Sequence, residues 1–226
     1  MTTDQKVTIE LAKNIVCDAG KRLKTSGLVA GTWGNISQRV DKTTMVITPS
    51  GVNYETATPE DMVVVKFTDK KPEYDGKHKP SSELKLHIEI YRDRKDIQAV
   101  IHVHSMNAST VAAARREVPP ILDDMAQIIG PTIRVADYAL PSTSKIAKKT
   151  MKALKGRNAA LMANHGAVCL GRSMDEAFTT CEVLEKSCKA FIEAESLGGA
   201  KSINKFEAIF MHQYYLRKYS KQSKKK

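Results

Sequence analysis

Apolar residues recur every three or four positions along several stretches of the chain, and this spacing predicts amphipathic helices. The clearest stretch spans residues 8–27, where the apolar stripe consists of Ile9, Ala12, Ile15, Val16, Ala19 and Leu23. A capping box that begins at Ser173 predicts the start of a long helix, which two glycines end after about Leu197. The remaining predicted helices run from Pro80 to about Asp93 and over residues 107–116, 143–155 and about 203–219.

Shorter apolar runs, alternating or continuous, predict β-strands. They lie within residues 31–40, 44–51, 62–67, 97–105 and 132–139, and on both sides of a turn at residues 164–166. Residues 69–80 are highly charged and residues 117–131 begin with a proline-marked segment, so both are expected to contain loops. The order is one helix, several strands, and then strands that alternate with helices. This order predicts a single α/β domain over residues 1–219, built as a sandwich around a central sheet.

The composition is typical of one globular domain. The chain has 226 residues, of which 42% are apolar, and this is enough for one sizeable core. No apolar run approaches the length of a membrane span, and the N-terminus lacks the basic and apolar segments of a secretory signal. The four cysteines show no paired spacing, as expected for packing residues in a reducing compartment. We therefore expect a cytoplasmic protein with no membrane partner.

The net charge of +11 suggests a nucleic-acid partner, but much of it lies at the C-terminus. The final ten residues contain six lysines or arginines and no acid, which leaves +5 over the rest of the chain. The sequence has no helix-turn-helix, zinc knuckle or RNA-binding strand pattern. We therefore expect residues 220–226 to be a disordered, solvated basic tail, and we expect no nucleic-acid binding.

Two histidines lie in the predicted strand at residues 97–105. Side chains two apart on a strand point the same way, so His102 and His104 are expected to project side by side. His165 lies at the turn between two later strands and offers a third imidazole. Three histidines with an open coordination position are typical of catalytic zinc sites, so these residues are the candidate metal ligands.

A structural interpretation of the same histidines competes with the metal site. His102 and His104 could form a hydrogen-bonded pair under a loop, and His165, beside a glycine, could be an ordinary turn residue. The other histidines have charged or helical surroundings, and we expect them to be surface or packing residues; they are His78, His87 and His212.

Polar segments between the predicted strands have the chemistry of a phosphate-binding site. Glycines let backbone N–H groups approach an anion, hydroxyls add donors, and a helix N-terminus adds a favourable dipole. The segments are Gly34–Asn35, Ser50–Gly51 and Ser81–Ser82. Either serine of the last pair could cap the following helix, with Glu83 in its first turn. Each segment alone is an ordinary turn, but a carboxylate beside both a phosphate and a metal is placed to move protons.

Five motifs in order along the chain resemble those of the class II aldolase/adducin-like superfamily, and they are nearest to those of the L-fuculose-1-phosphate aldolases. The motifs are GTWGNISQR, ITPSGVNYE, KPSSELKLHIEIYR, AVIHVHS and LMANHGAV. The resemblance implies a three-layer α/β/α sandwich with a central, mainly antiparallel sheet. It also implies a homotetramer with fourfold symmetry and active sites between subunits.

The resemblance implies a role for each matching residue. The zinc ligands would be His102, His104 and His165, and Glu83 would act as acid and base at the metal. The phosphate-binding residues would be Gly34, Asn35, Ser50, Gly51, Ser81 and Ser82. The implied reaction is zinc-dependent cleavage of a ketose 1-phosphate, through an enediolate, to dihydroxyacetone phosphate and an aldehyde.

Two positions that the resemblance places near the aldehyde end of the substrate do not follow the family pattern directly. Fuculose-phosphate aldolases have a tyrosine in the loop after a Pro-x-Ile turn, and this chain has Asp123 at about that place. The aspartate could act as an acid and base instead, or select a different aldehyde. A second family tyrosine, near the C-terminus, resembles Tyr214, although Tyr215 is a competing match and helix packing is an alternative role.

Other functions of the same superfamily compete with the aldolase. The enzymes are methylthioribulose-1-phosphate dehydratase, a sugar-phosphate 4-epimerase and a sugar-acid phosphate decarboxylase. The epimerases tend to have aspartate at the position of Glu83, which counts against that reaction. A non-catalytic adducin-like scaffold is the remaining alternative, but adducin-like cores lose the metal ligands, which this chain retains.

Overall fold

The computed structural model describes residues 8–68 and 71–222, and one eight-stranded sheet forms the centre of the molecule. In chain order the strands are β1 (Asn35–Arg39), β2 (Thr44–Ile47), β3 (Val63–Lys66), β4 (Glu73–Asp75), β5 (Ala99–Val103), β6 (Val135–Ala136), β7 (Ala159–Met162) and β8 (Gly166–Gly171). Across the sheet their order is β4-β3-β2-β1-β5-β8-β7-β6. All neighbouring strands are antiparallel except β6 and β7, which are parallel. The predicted central, mainly antiparallel sheet is confirmed.

Helices cover both faces of this sheet. They are α1 (Ile9–Thr25), α2 (Leu84–Asp93), α3 (Met106–Ala114), α4 (Asp123–Ile128), α5 (Ser144–Leu154), α6 (Met174–Ser196) and α7 (Lys205–Gln222), with a short 3-10 turn at Pro59–Asp61. Helices α2 and α5 pack on the face that presents Val100 and Leu170. Helices α1, α3 and α6 pack on the opposite face, over Ile36 and Ile101, and α4 and α7 extend that layer. The predicted three-layer α/β/α sandwich is therefore confirmed.

The ends of three neighbouring strands meet at one edge of the sheet. Strand β1 begins at Asn35, β5 ends at Val103 and β8 begins at Gly166. Because β1 and β8 run antiparallel to β5, their first residues lie beside its last ones. Asn35 pairs with His102, and Val103 pairs with Ala167. This arrangement brings the candidate histidines and the first phosphate-binding segment together.

Two short elements differ from the predictions. Strand β4 lies inside the stretch predicted as a charged loop, and its three residues are all exposed at the edge of the sheet. Helix α4 lies inside the stretch predicted to begin as a proline-marked loop, and it has only six residues. Neither element has enough residues to show a period of apolar positions, so the pattern along the chain did not reveal them.

The start of α2 also differs from the prediction. The helix begins at Leu84, so Glu83 precedes it instead of lying in its first turn. Neither serine caps the helix; Ser81 Oγ accepts a hydrogen bond of 3.3 Å from the backbone N–H of Glu83. The reason is that residues 81–83 form a separate turn, which directs the Glu83 side chain away from the helix and towards a neighbouring loop.

At the C-terminus, α7 continues to Gln222, past the predicted domain boundary at residue 219. The rest of the predicted tail, residues 223–226, lies outside the described residues. Among the helices of residues 8–68 and 71–222, none combines the length and the apolar character that crossing a bilayer requires. The four cysteines are free, buried thiols.

Candidate active site

A cavity of about 680 Å³ opens at the sheet edge where β1, β5 and β8 meet. It is lined by ten of the residues that the sequence predicted to form the site: Gly34, Asn35, Ser50, Gly51, Ser81, Ser82, Glu83, His102, His104 and His165. These residues come from five separate segments of the chain. The predicted metal ligands and the predicted phosphate-binding segments therefore lie in one cavity.

The three histidines converge through the same ring atom. His102 Nε2 lies 2.9 Å from His104 Nε2 and 3.2 Å from His165 Nε2. Both distances are close to the roughly 3.3 Å between ligand atoms around a tetrahedral zinc ion with Zn–N bonds of about 2.0 Å. His102 Nδ1 lies 2.8 Å from the carbonyl oxygen of Ala167, which can only accept a hydrogen bond. The proton of His102 is therefore on Nδ1, and its Nε2 lone pair faces the other two rings.

The surroundings of these rings favour the neutral imidazole. Burial lowers the pKa of His102 well below its usual value, and the nearby rings of His104 and His165 lower it further. Burial, and then His165, lower the pKa of His104 to about 4. Burial also lowers the pKa of His165, while the negative charge of Glu83 opposes that shift. Only a neutral imidazole can bind a metal, so the donor set suits a divalent ion.

Glu83 lies in the same cavity and is held at one oxygen only. Its Oε1 accepts a hydrogen bond of 2.7 Å from the backbone N–H of Ser142. Its Oε2 is buried and has no hydrogen-bond partner in the described part of the chain. A buried carboxylate oxygen without a partner is unfavourable unless a ligand or a proton satisfies it. This orphaned oxygen, beside three neutral imidazoles, fits a site that takes up a metal ion and a substrate.

The loops around the cavity adopt backbone conformations that non-glycine residues rarely use. Ser142 has a φ of 63° and Asn164 a φ of 55°. The Asn164 side chain is fixed by Arg115, whose Nε and Nη2 lie 3.1 and 2.9 Å from its Oδ1. Such strain is retained where the surrounding structure enforces it, often at functional sites.

Gly34 allows the first predicted phosphate-binding segment to lie directly against the strand with the candidate metal ligands His102 and His104. Its φ of 92° is in the region that favours glycine. A Cβ atom at this position would be 2.6 Å from Val29 Cγ1 and 2.8 Å from the backbone oxygen of His102. Any larger residue would therefore push the loop away from the histidines.

Several cavity residues were missed by the sequence analysis. They are Ala30, Thr32, Trp33, Pro49, Pro141, Ser142 and Asn164. The most prominent is Trp33, which is 67% exposed and whose ring centroid lies 5.8 Å from that of His104. Its position between two glycines of a matching motif could have identified it. Ser142 had no such signal, because 59 positions separate it from Glu83.

Two predicted site residues do not line this cavity. Asp123 is exposed at the first position of α4. Tyr214 is 46% exposed on α7, where its ring stacks on Phe210. The competing residue, Tyr215, is half-buried and donates to Glu176 within the same chain. Tyr214 is therefore the tyrosine of this pair whose ring is more available to another molecule.

Comparisons with known proteins show the family to which the chain belongs. Residues 14–192 match the family described as "Class II Aldolase and Adducin N-terminal domain". The 5-deoxy-D-ribulose 1-phosphate aldolase of Bacillus thuringiensis is 36% identical over 183 residues, which are 80% of this chain and 84% of that protein. A 5-methylthioribulose-1-phosphate/5-deoxyribulose-1-phosphate aldolase of Rhodospirillum rubrum is 33% identical over 77% of each chain.

The fold has a close match among solved structures. An L-fuculose 1-phosphate aldolase superimposes with a TM-score of 0.84 at 32% identity, over 90% of this chain and 95% of that one. On the family match, these relatives and the shared fold, the chain belongs to the class II aldolase and adducin family and is a lyase of the class II aldolase type.

Proposed function

We propose that this chain is an aldolase that cleaves a ketose 1-phosphate between C3 and C4 and releases dihydroxyacetone phosphate and an aldehyde. The proposal rests on one observation: three neutral imidazoles and a buried carboxylate with a free oxygen share a cavity with the three predicted phosphate-binding segments. In a non-catalytic scaffold protein, a buried carboxylate oxygen without a partner would cost stability and would serve no binding or catalytic purpose. Names of relatives that act on ribulose 1-phosphates support the substrate class.

The phosphate of the substrate would bind to the donors on one side of the cavity. Asn35 and the hydroxyls of Ser50, Ser81 and Ser82 offer donors, and Gly51, with a φ of 73°, lets the backbone approach closely. Binding of the phosphate group would fix the distance between the phosphate end of the substrate and the three histidines. The carbons to be separated would then lie beside Glu83.

His102, His104 and His165 would hold a divalent ion, and zinc suits three imidazoles best. When bound, the ion would supply Lewis-acid chemistry, which stabilises the negative charge that develops on substrate oxygens as the C3–C4 bond breaks. The hydrogen bond from His102 Nδ1 to Ala167 keeps this ring in the orientation and tautomer that ligation requires.

Glu83 would act on the carbon that loses its bond. When C3 and C4 separate, the electron pair stays on C3, and C3 must gain a proton to become the CH2 group of dihydroxyacetone phosphate. Oε1 is fixed by Ser142, so Oε2 is the oxygen that would carry and donate this proton. The hydroxyl proton on C4 leaves as the aldehyde forms, and it needs a second acceptor.

Asp123 and Tyr214 are our candidates for the aldehyde end, where that acceptor must act. Neither lines the cavity of its own chain, so each would reach a site only from a neighbouring subunit. We therefore propose that the enzyme is a homotetramer with sites between subunits. Light scattering should give four times the 25.0 kDa chain mass, and a monomer with full activity would contradict this assembly.

Trp33 supports a more specific substrate. Its indole is exposed at the mouth of the cavity and contacts the ring of His104. An apolar surface there favours a ketose 1-phosphate whose far end is short and carries no hydroxyl beyond C4. With 5-deoxyribulose 1-phosphate, cleavage would give acetaldehyde. We expect this substrate to have a higher kcat/KM than L-fuculose 1-phosphate.

A panel of ketose 1-phosphates tests the proposed reaction. The purified, zinc-loaded protein is incubated with each compound, and dihydroxyacetone phosphate and the aldehyde are measured in separate assays. Equal amounts of both products support C3–C4 cleavage. Loss of water, change of configuration or release of carbon dioxide without dihydroxyacetone phosphate would identify one of the alternative reactions instead.

A further inference from the structure

His87 is a histidine that the reaction described above does not use. It lies on α2, is completely buried, and faces the first strand of the sheet. Its Nε2 lies 2.6 Å from Oδ1 of Asn35, and its Nδ1 lies 2.6 Å from Oγ of Ser37. Asn35 and Ser37 are two apart on β1, so their side chains share the face that α2 covers.

These contacts belong to a buried polar network that leads from the protein interior to the cavity. The hydroxyl of Tyr91 lies 2.9 Å from Ser37 Oγ and 3.0 Å from the backbone oxygen of Ser37. The guanidinium of Arg39 lies over the Tyr91 ring, 4.4 Å from its centroid. Every member is buried, and His87 is the member that contacts the side chain of Asn35.

The contact between His87 Nε2 and Asn35 Oδ1 links the tautomer of His87 to the orientation of Asn35. Burial lowers the pKa of His87 to about 3, so the ring is neutral and has a single N–H. Oδ1 of Asn35 faces Nε2 and can only accept, so the N–H lies on Nε2 and donates to the amide oxygen. The amide nitrogen of Asn35 then points the other way, and it has no hydrogen bond within the described chain.

Asn35 lines the cavity that is proposed to hold the substrate phosphate. We propose that His87 is a positioning residue for phosphate binding: its Nε2–H holds the Asn35 oxygen in the interior, so that the Asn35 NH2 group faces the anion. Without this restraint the amide can rotate and present its oxygen, which repels an anion. The inference rests on the proposed function, because it takes the ligand of the cavity to be a phosphate ester.

A double-mutant cycle tests this role. The zinc-loaded full-length proteins are wild type, His87→Leu, Asn35→Ala and the double variant. Calorimetric titration with dihydroxyacetone phosphate and with inorganic phosphate measures affinity, and cleavage assays give KM and kcat. Loss of a hydrogen bond to a charged group weakens binding about tenfold to a hundredfold, so Asn35→Ala should show that loss. His87→Leu should raise Kd and KM about tenfold, while metal content stays the same and kcat changes less than threefold.

The double variant distinguishes positioning from a merely structural role. If His87 acts through Asn35, the double variant binds phosphate no more weakly than Asn35→Ala alone. If the fold losses of phosphate affinity in the two single variants multiply in the double variant, the proposal is overturned. His87→Gln, which can still donate from nearly the same place, should recover most of the affinity. Tyr91→Phe is the matched control: it removes a hydroxyl from the same network, and phosphate affinity should stay within about twofold of wild type.

The outcomes separate this inference from the proposed reaction. Phosphate affinity in His87→Leu equal to that of wild type overturns the positioning role. Unchanged phosphate affinity in Asn35→Ala overturns it as well, because no amide donor is then involved. If the cycle gives the expected phosphate affinities but no ketose phosphate is cleaved, the positioning role is supported and the proposed reaction is contradicted.

Discussion

In the proposed reaction, Glu83 is the side chain that transfers a proton to C3. The Ser142 N–H restrains one oxygen, and the other oxygen is buried and free. Removing the charge while keeping the shape should therefore separate proton transfer from binding. We expect Glu83→Gln to lower turnover about 10²–10⁴-fold, as is typical for a general acid or base, with metal and phosphate binding retained.

Proton exchange provides a second measurement for the same variant. In the proposed reaction, solvent exchange of a C3 proton of dihydroxyacetone phosphate needs no aldehyde, so it should fall with turnover in Glu83→Gln. Asp123→Asn is the contrasting variant, because a residue at the aldehyde end should affect cleavage and leave exchange intact. Normal exchange in Glu83→Gln would remove Glu83 from the proton path, and equal damage in Asp123→Asn would add that residue to it.

At the scale of elements, one contact between helices lies next to the candidate metal ligand His104. The carboxylate of Glu185, on α6, accepts hydrogen bonds at the start of α3, immediately after His104. Its Oε1 lies 2.8 Å from the backbone N of Asn107, and its Oε2 lies 2.6 Å from Ser105 Oγ and 2.9 Å from the backbone N of Ala108. A negative group at a helix N-terminus satisfies free N–H groups and suits the helix dipole.

We predict that Glu185→Ala lowers the free energy of unfolding by about 2–4 kcal/mol, because it leaves several partly buried donors without a partner. Urea denaturation measures this. The matched control is Glu193→Ala on the same helix, which removes a long, exposed contact to Lys189 and should cost less than about 0.5 kcal/mol. Equal losses in the two variants would show that the Glu185 contacts do not matter for stability.

The elements also show what could be predicted from the sequence. The apolar positions repeat clearly in the long helices α1 and α6 and in strand β5. These elements were predicted nearly at their observed bounds. The six residues of α4 and the three exposed residues of β4 are too few for any period.

Some residues of the candidate site could likewise be identified from the sequence, and others could not. His102, His104 and His165 could be identified because neighbouring strands bring a His-x-His pair and a turn histidine together. The contact of Ser142 with Glu83 could not, because it depends on a left-handed backbone in a distant loop. The sequence interpretation of His87 as a surface or packing residue likewise missed its bond to Asn35, which exists only when α2 lies on β1.

At the scale of the whole molecule, stability should depend on pH through buried neutral histidines. His87 has a pKa of about 3 in the folded protein and an ordinary value of 6.5 when unfolded. Between these values the unfolded chain binds a proton that the folded chain does not. Folding stability from this group is therefore fully present above pH 6.5 and falls by about 1.4 kcal/mol for each pH unit below it.

Urea denaturation of the metal-free protein at pH 7.5 and pH 5.5 tests this dependence. Wild type should lose more stability than His87→Leu over this interval, and the difference should be about 1.4 kcal/mol, because the variant lacks one of the titrating groups. The other buried histidines titrate equally in both proteins. Identical losses would show that His87 is charged in the fold or neutral in both states.

The pairing of β5 with β8 has a consequence for how the enzyme exchanges its metal. His102 pairs with Val168 in the sheet, and its ring is bonded to the Ala167 carbonyl, so backbone hydrogen bonds hold two ligand segments together. In small zinc domains the metal itself drives folding, and a chelator unfolds them.

Here the chelated protein should keep its circular dichroism spectrum and lose cleavage activity. The activity should return within the mixing time when zinc is added. His104→Ala should not regain it. Recovery that requires refolding would mean that the ion builds its own site, whereas a preformed site would let the protein lose and regain the ion without refolding.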